Sequence, residues 1–325
     1  MPRITSNQLG VTDAHTHAGG IDWYNLFKTR HPISQSVRDL VLKAQMNNIH
    51  NLVVFPMPMP LYYHPLQLIQ SQNWQPSGLE SFPYELSNKA LLYEASVFGQ
   101  GMVLPFMAID PKEEVDKQIA FLDRAASQDV VYGLKLHTRA TGSTATDLVN
   151  SPFVDLLRKY NLPILIHSGI SPSYTNAIHI LELAGHHADI RICIAHLAAL
   201  DKSILSEIPN TENVYVDSTP FLTICKFARE GTFTFISNNT FDTDYQSPAK
   251  CLVDLNNAVR NRLVWGTDEP WSAISDTTGQ LITSNTYADE CAVLVSLVEK
   301  GYERTKEAIA KTNTARFLFG DGPKP

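Results

Sequence analysis

The sequence predicts an α/β fold in which eight parallel strands and the helices between them form a (β/α)8 TIM barrel. Short apolar, β-branched runs recur eight times along the 325 residues, and helical patterns separate them. The runs are continuous rather than alternating, which is typical of parallel strands that are buried on both faces. A chain of this length can fill one such barrel, so we expect a single domain over residues 1–325.

The eight predicted strands extend from Leu9 to Asp268 in a regular succession. In chain order they are LGVTDAH, NLVVFPMP, GMVLPFMAID, VVYGLKLH, LPILIHSG, IRICIAHL, NVYVDST and RLVWGTD. Strands that alternate with helices along a chain predict βαβ units and therefore a parallel sheet.

Helix signals lie between several of these runs. One helix is predicted from about Ser34 to Asn48. PKEEVDKQIAFLDRAASQ begins with proline and carries acids in its first turn, SPFVDLLRKYN begins Ser-Pro and ends in asparagine, and SYTNAIHILELAGHH is a further helical pattern. ERTKEAIAKTNTARFLFG predicts a final amphipathic helix, followed by the frayed tail DGPKP.

Two connections are predicted to be long loops, one after strand 2 and one after strand 7. The first extends from Met57 to about Glu85, and the second from Pro220 to about Ser247. The second contains REGTFTFISNNTF, which predicts an irregular loop or a small hairpin. Because both follow a strand, we expect them over the C-terminal mouth of the barrel as lids or substrate walls. Surface decoration and an oligomer contact are the alternatives.

The composition excludes several classes of partner. The formal net charge is −7, and no block of basic residues occurs, so we expect no binding to nucleic acid or to an anionic membrane. The N-terminal residues lack an apolar signal core, and no apolar run is long enough to span a bilayer, so a cytoplasmic protein is expected. The four cysteines are scattered, which predicts buried, reduced thiols.

The first strand ends in the sequence VTDAHTHAGG, which places two histidines one residue apart. Because a strand alternates its faces, we expect His15 and His17 to point the same way, with Asp13 one step below. Two adjacent imidazoles are a good start for a metal site. For an isolated His-x-His, two partly exposed loop histidines would be the preferred interpretation, so the rest of the chain has to decide.

Metal-competent or titratable side chains also end most of the other predicted strands, where barrel active sites are built. They are Lys135 and His137 after strand 4, His167 after strand 5, His196 after strand 6 and Asp268 after strand 8. Three imidazoles and one carboxylate suit zinc or another borderline divalent ion. We therefore predict a site with an open position for water, whose ligands are His15, His17, His167 and Asp268.

The same residues can carry catalysis. A metal ion lowers the pKa of its water toward neutrality, and Asp268 can both contact the ion and accept the proton of that water. His196 lies one strand from His167. It can serve as a ligand, or it can donate a hydrogen bond to the carbonyl group of a substrate as negative charge develops.

Four motifs in this order resemble the amidohydrolase superfamily: DAHTH, ILIHSG, CIAHLA and VWGTDEPW, which extend from Val11 to Trp271. GLKLH and GTDEPW are more similar to the branch called amidohydrolase-related, or amidohydrolase family 2. That branch includes hydrolases of lactones and esters, and decarboxylases resembling aminocarboxymuconate-semialdehyde decarboxylase. The resemblance implies the four ligands already named, with His196 near the reacting carbonyl. It also implies a divalent ion, zinc first, with manganese or iron as alternatives, and a dimer or higher oligomer.

Lys135 leaves the number of metal ions open. Several branches of the superfamily carboxylate a strand-four lysine, which then bridges two metals. In the branch that this sequence resembles, the lysine is usually unmodified, so we prefer a site with one ion. The alternative is a buried amine that is paired with a carboxylate such as Asp13, Asp217 or Asp268.

His137 and Arg139 share the parity of Lys135 and are expected to face the mouth, as ligands of a second metal or as substrate-binding residues. Arg139 can hold a substrate carboxylate through two hydrogen bonds, or it can be an ordinary surface arginine. Glu269 and Trp271, beside Asp268, are candidates for the substrate pocket. Other loop aromatics can wall that pocket or simply anchor their loops, namely Trp23, Tyr24, Tyr62, Tyr63 and Trp74.

Three functions are compatible with these residues. The preferred one is a metal-dependent hydrolase that acts on the carbonyl of an ester, lactone or amide in a small, carboxylate-bearing substrate. The second is a non-oxidative decarboxylase at the same site, for which Arg139 and Lys135 would supply positive charge. The third is a barrel that binds a ligand or partner without catalysis, which would be expected to lack some of the ligands.

Overall fold

The computed structural model describes residues 3–20, 34–64, 67, 73–231, 236–275 and 281–320. Within them, nine strands form one sheet and two more form a hairpin. The sheet strands are β1 (Thr12–Gly20), β2 (Ser34–Gln35), β3 (Asn51–Pro56), β4 (Val103–Ile109), β5 (Gly133–Leu136), β6 (Ile164–Ile166), β7 (Ile192–Ile194), β8 (Val214–Asp217) and β9 (Leu263–Val264). The hairpin consists of β10 (Ala273–Ser275) and β11 (Leu281–Ser284).

Helices alternate with the strands of the sheet. They are α1 (Val37–Met46), α2 (Glu85–Phe98), α3 (Val115–Ala126), α4 (Thr138–Thr141), α5 (Pro152–Tyr160), α6 (Ile178–His186), α7 (Lys202–Glu207), α8 (Phe221–Glu230), α9 (Pro248–Ala258), α10 (Tyr287–Glu299), α11 (Glu303–Glu307) and α12 (Asn313–Phe319). In the part of the chain that the structure describes, no helix has the length and apolar character needed to cross a membrane.

The predicted helix signals are confirmed where caps define them. Ser36 caps α1 by accepting a hydrogen bond from the backbone N–H of Asp39, and α5 begins at Pro152 after Ser151. Asn161 ends α5 in the left-handed conformation, with φ of 49°, which asparagine adopts more easily than most residues.

The sheet is a succession of parallel strands in chain order. β1 pairs with β3, and each strand from β3 to β8 pairs in parallel with the next, up to β9. The short β2 adds an antiparallel pair at the end of β1. Eight parallel strands therefore match the eight predicted runs, whereas β2 and the β10–β11 hairpin have no counterpart in the prediction.

Backbone hydrogen bonds also join β1 to the segment that follows β9. Three of them connect the two ends of the sheet: Ala14 N to Trp265 O at 3.1 Å, Asp268 N to His15 O at 2.8 Å, and His17 N to Glu269 O at 2.8 Å. Gly266 permits this approach, because a Cβ atom there would lie 2.9 Å from the backbone nitrogen of His15. The first and last parallel strands are thus neighbours in space.

The apolar side chains of each strand divide between two cores. In β3, Leu52 and Val54 pack outward against the helices, whereas Val53 and Phe55 pack inward with residues of the other strands. This alternation follows the two-residue period of a strand. Because both sides are apolar and buried, the strands read as continuous hydrophobic runs in the sequence.

The long loop predicted from Pro220 to Ser247 is wrong in its first part, where the chain forms α8. Phe221, Ile224 and Cys225 are buried on one face of this helix, and Gly231 ends it with φ of 65°. Part of REGTFTFISNNTF, residues 232–235, and the predicted tail at 321–325 lie outside the described residues. In the connection after β3, residues 57–64 and 73–84 form turns that include a bridge between Tyr63 and Pro76.

We predict that Gly266→Ala lowers the thermal midpoint of unfolding, because the added methyl group collides with the backbone of β1. Overpacking of this kind costs about 1–3 kcal/mol. Gly185→Ala is the matched control, since a Cβ atom at Gly185 in α6 meets no atom within 4 Å. That variant should gain up to about 1 kcal/mol from helix propensity. Equal midpoints for the two variants would contradict the close approach at Gly266.

Candidate metal centre

Polar side chains meet at the carboxyl edge of the parallel sheet. β1 contributes two histidines and β5 a lysine, while the segments after β6, β7 and β9 contribute two further histidines and an aspartate. These residues are His15, His17, Lys135, His167, His196 and Asp268. The strand ends that the sequence predicted to carry the site therefore do lie along one edge.

His15, His17 and Asp268 form the centre of this group. The Nε2 atoms of His15 and His17 lie 3.3 Å and 3.5 Å from Oδ1 of Asp268. One ligand atom from each residue lies within 4.8 Å of the others, and no other group of three or more His, Cys, Asp or Glu side chains in the described ranges meets that criterion. All three residues are buried.

The expectation that Asp13 lies on the same face as the histidines is wrong. The pairing of β1 with β3 shifts by one residue between Asp13 and Thr16. Such a bulge reverses the facing of the residues before it. The Asp13 carboxylate instead accepts hydrogen bonds from the N–H and the hydroxyl of Thr267, at 3.0 Å and 2.8 Å. Burial raises the pKa of this carboxyl group to about 7 despite those bonds.

Hydrogen bonds at Nδ1 define the tautomers of the two central histidines. His15 Nδ1 lies 2.8 Å from a carboxylate oxygen of Asp217, and His17 Nδ1 lies 2.9 Å from the backbone oxygen of Pro56. Because both partners are acceptors, each Nδ1 carries the hydrogen and each Nε2 presents a lone pair toward Asp268. Burial lowers the pKa of both imidazoles, which favours the neutral form that binds metal ions.

His167 and His196 form a second pair beside this centre. His196 Nδ1 lies 2.8 Å from the backbone oxygen of Thr219, so its Nε2 can accept a hydrogen bond. His167 Nδ1 lies 2.9 Å from that Nε2 and is the donor. The Nε2 of His167 therefore keeps its lone pair. His167 does not belong to the group within 4.8 Å, so its role as fourth ligand stays a prediction.

His137 has a different environment from the other histidines. Its Nδ1 accepts a hydrogen bond from the backbone N–H of Ala140 and so caps α4. Its ring stacks on that of His167, with 4.0 Å between the centroids. In this tautomer the proton resides on Nε2, which leaves no free lone pair for a metal ion. The geometry therefore gives His137 a supporting position under His167.

Lys135 is buried at the centre of the site, with its amino group 3.2 Å from Nε2 of His15. Burial lowers its pKa to about 8, while the negative charges of Asp217 and Asp268 act in the opposite direction. The nearest partner of the amine is thus a histidine nitrogen rather than the directly paired carboxylate that the sequence suggested as an alternative.

Asp268 is held as a carboxylate. Burial by itself would raise the pKa of Asp268, but the neighbouring His15, His17 and His196 outweigh it, and the pKa lies below its ordinary value. Its Oδ2 atom lies 3.9 Å from Nδ1 of His196. When the imidazoles are neutral, a cation bound between them would balance the buried negative charge of Asp268 instead.

Arg139 lies at the outer rim of the site on α4. Its side chain is exposed, and it makes no hydrogen bond or ion pair with any other residue that the structure describes. Its positive charge acts on both His167 and Tyr174. Trp74 closes the neighbouring side by donating a hydrogen bond to Ala140 O at 2.9 Å. The guanidinium is therefore available for an anionic group at the mouth.

Glu269 and Trp271 both contact neighbouring residues, and their place in a substrate pocket stays a prediction. The Glu269 carboxylate is paired with Lys43 and accepts a hydrogen bond from the hydroxyl of Ser272 at 2.9 Å. Trp271 packs with Met57 and its neighbours in a small apolar cluster.

Among the other aromatic candidates, Tyr62 and Tyr63 anchor their loop through contacts with Glu113 and Asp110. Trp23 and Tyr24 lie outside the described residues.

Comparisons with known proteins identify the family and the fold. The amidohydrolase family model matches residues 71–320. No curated protein gives a significant match. The fold is similar to a 2,6-dihydroxybenzoate decarboxylase from Rhizobium, which is 12% identical with a TM-score of 0.59 over 95% of this chain and 98% of that chain.

The chain belongs to the amidohydrolase family.

Two further structures show the range within this fold. A probable 2-pyrone-4,6-dicarboxylic acid hydrolase from Acinetobacter baumannii is 13% identical, with a TM-score of 0.56 over 96% of this chain and 100% of that chain. A 5-carboxyvanillate decarboxylase from Novosphingobium aromaticivorans, crystallised with manganese, is 11% identical, with a TM-score of 0.54 over 98% and 99%. The protein is thus an enzyme of the amidohydrolase type, from a metal-dependent family that acts on small molecules.

This amidohydrolase carries His196 on a strained backbone. All five residues from 196 to 200 have φ between 51° and 60°, a left-handed turn without glycine. Each such residue costs roughly 1–2 kcal/mol. Hydrogen bonds offset the strain: Asp217 accepts from His196 N at 2.9 Å, and Ala199 O and Leu200 O accept from the backbone of a facing segment. Strain of this kind is typical of functional sites.

From the sequence, Asp217 is predicted only as a possible partner for Lys135. In the structure, its carboxylate touches both His15 and the backbone of His196. The position of Asp217 in the sequence could have indicated this role. Asp217 ends the predicted strand NVYVDST, just as the other site residues lie at the ends of their strands.

Proposed function

We propose that this enzyme is a metal-dependent hydrolase that activates water against the carbonyl group of an ester, lactone or amide in a small substrate with a carboxylate. The observation that supports this proposal most strongly is that His15 Nε2, His17 Nε2 and Asp268 Oδ1 lie close together at the carboxyl edge of the sheet. We also propose that the chain is a single domain and that its sheet closes into a (β/α)8 barrel.

The residues fit a divalent ion, with zinc as the first candidate. Zinc–ligand bonds of about 2.0–2.1 Å at tetrahedral angles place two ligand atoms roughly 3.3 Å apart. The two nitrogen-to-oxygen separations, 3.3 Å and 3.5 Å, are close to that value. The lone pairs at both Nε2 atoms and the charge on Asp268 supply the donor set. We further propose that His167 completes the set through Nε2 and that one ion suffices, with Lys135 unmodified.

When bound, a divalent ion supplies Lewis acidity, which lowers the pKa of water and polarises a carbonyl. Asp268 directs Oδ1 at the two imidazoles, which leaves Oδ2 to accept the proton of the attacking water. His196 is held by Thr219 O at Nδ1 and accepts a hydrogen bond from His167 at Nε2. Release of the bond to His167 would free Nε2 to take a proton and then to donate a hydrogen bond to the developing oxyanion. The buried position of Asp268 and His15 limits the access of bulk water.

Arg139 supports a substrate with a carboxylate. Among the described residues the Arg139 guanidinium has no hydrogen-bond or ion-pair partner, and next to His167 it can form two parallel hydrogen bonds to a carboxylate group. By their names, all three fold neighbours act on carboxylic acids: the pyrone dicarboxylic acid hydrolase, the dihydroxybenzoate decarboxylase and the carboxyvanillate decarboxylase.

Decarboxylation is the second candidate, favoured by the position of Lys135. Its buried amine lies 3.2 Å from His15 Nε2 and can supply positive charge or a proton inside the site. Protonation of a carbon atom needs an acid, however, and Asp268 is held as a carboxylate while the pKa values of His15 and His17 are lowered. These three groups are therefore unprotonated and available as bases rather than as acids, so we prefer hydrolysis.

Isotope incorporation from the solvent into the product distinguishes the two reactions. The enzyme is assayed with a panel of carboxylate-bearing lactones, esters, amides and aromatic acids. In water enriched in oxygen-18, we expect one heavy oxygen in the product acid and no release of carbon dioxide from the active substrate. Mass spectrometry of the product and a carbon dioxide electrode give both readings. Release of carbon dioxide with solvent deuterium on the product carbon would contradict hydrolysis and establish the second candidate.

Asp268→Asn should keep the fold but lose both the metal and the reaction. We expect the wild-type protein to hold one zinc ion per chain after incubation and desalting, as measured by elemental mass spectrometry. The variant should retain less than about a tenth of that amount, and its turnover should fall about 10²–10⁴-fold, as loss of a general base requires. Asp254→Asn, which removes a carboxylate paired with Lys250 on α9, is the control and should match the wild type.

Two results would oppose this assignment. A wild-type protein that takes up no metal, even after incubation with zinc, would contradict the metal-dependent reaction. An Asp268→Asn variant with full activity would remove Asp268 from the mechanism.

Arg139→Ala should raise KM about tenfold for a carboxylate-bearing substrate, because a charge-assisted hydrogen bond contributes about 1.5 kcal/mol or more. Substrate analogues with an amide or ester in place of that carboxylate should lose this difference between wild type and variant. Arg158→Ala, on α5 and paired with Asp189, is the matched control. Steady-state kinetics measure the effect, and an unchanged KM would assign Arg139 to the surface.

A further inference from the structure

Asp217 is the last residue of β8, and its side chain is completely buried. Hydrogen-bond donors contact both of its carboxylate oxygens. Its Oδ2 lies 2.8 Å from Nδ1 of His15. Its Oδ1 accepts from the backbone N–H of His196 at 2.9 Å, from the N–H of Thr219 at 3.1 Å and from the Thr219 hydroxyl at 2.8 Å. One carboxylate thus holds two residues of the site from behind.

We propose that Asp217 is a positioning residue that fixes the tautomer of His15, with the hydrogen on Nδ1 and the lone pair of Nε2 facing Asp268. A carboxylate only accepts hydrogen bonds, and a neutral imidazole carries one hydrogen. The contact at Nδ1 therefore leaves Nε2 bare. The inference rests on the proposed function in one respect, since a metal ion is what this lone pair would bind.

The surroundings of His15 support the same tautomer from the opposite side of the ring. The amino group of Lys135 lies 3.2 Å from Nε2 and is a donor when protonated, so it also requires a lone pair there. The Thr219 hydroxyl, which donates to Asp217, lies 3.1 Å from His15 Nδ1 and can accept from it as well. With acceptors at Nδ1 and a donor at Nε2, the neutral ring of His15 can satisfy its partners only as the Nδ1–H tautomer.

Asp217→Asn separates the two tasks of the carboxylate. Two backbone N–H groups and one hydroxyl converge on the Oδ1 position, and the two N–H groups can only donate, so the amide oxygen must stay there. The amide NH2 is then directed at His15 Nδ1, where a donor already points. The hydrogen bond to His15 is lost or the ring exchanges its tautomer, while the bond that begins the turn at His196 is preserved.

The test reads the His15 ring directly, in metal-free protein with 15N-labelled histidine, by long-range 1H–15N NMR at pH 8. His15→Gln assigns the signals by their loss. In wild type, we expect the Nδ1–H tautomer with a strongly hydrogen-bonded ring proton. In Asp217→Asn, this proton signal should vanish, and the zinc dissociation constant from chelator competition should rise about 10–100-fold, as for other residues that orient metal ligands.

Asp110→Asn is the matched control, because Asp110 is another completely buried carboxylate and follows β4, a parallel strand of the same sheet. It accepts from the hydroxyl of Tyr63 and from Lys112 N, and no histidine touches it in the described structure. This variant should show the wild-type His15 signals and the wild-type zinc affinity.

An Nε2–H tautomer of His15 in the wild-type protein would overturn the inference, and this measurement needs no variant. Unchanged His15 signals in Asp217→Asn would overturn it too, even with weaker zinc binding, because Asp217 would then act in another way. If the wild-type protein binds no zinc, the proposed function fails, but the tautomer in the metal-free protein still decides the role of Asp217.

Discussion

The pairing of the last parallel segment with β1 is the constraint on which the site depends. Backbone hydrogen bonds from Asp268 N to His15 O and from His17 N to Glu269 O bring the two ends of the sheet together. The same bonds place the Asp268 side chain against both imidazoles, although more than 250 residues separate these groups in the sequence. Gly266 is needed because the strands approach more closely than a side chain allows. Fold and candidate metal centre therefore share one set of interactions.

Around that pairing, backbone and carboxylate acceptors orient the histidines one by one. Pro56 O holds His17, Thr219 O holds His196, and His196 in turn accepts from His167. Each Nδ1 thus carries a hydrogen, and each Nε2 keeps a lone pair. Because burial also favours the neutral form of His17 and His167, the edge of an apolar sheet presents metal-competent nitrogens rather than positive charges.

Much of this arrangement could be predicted from the sequence, because buried parallel strands read as apolar runs and their carboxyl ends must meet. That rule predicts that His15, His17 and Asp268 lie at one edge of the sheet, and the structure brings these three side chains together. The sequence could not show the one-residue shift in β1 that turns Asp13 away, since a bulge leaves no compositional trace. It could not show that Glu269 is paired with Lys43, because this contact joins distant segments. The predicted loop after strand 7 missed α8, although FLTICKFARE spaces Phe221, Ile224 and Cys225 at helical intervals between polar residues.

The central claim is that one divalent ion binds between His15, His17 and Asp268. Anomalous diffraction at the zinc absorption edge, from a crystal grown with zinc, tests it most directly. The account predicts one strong anomalous peak per chain, about 2.0–2.1 Å from Nε2 of both histidines and at about 2.0–2.2 Å from a carboxylate oxygen of Asp268. A crystal with zinc bound elsewhere, and no peak between these three side chains, would contradict it.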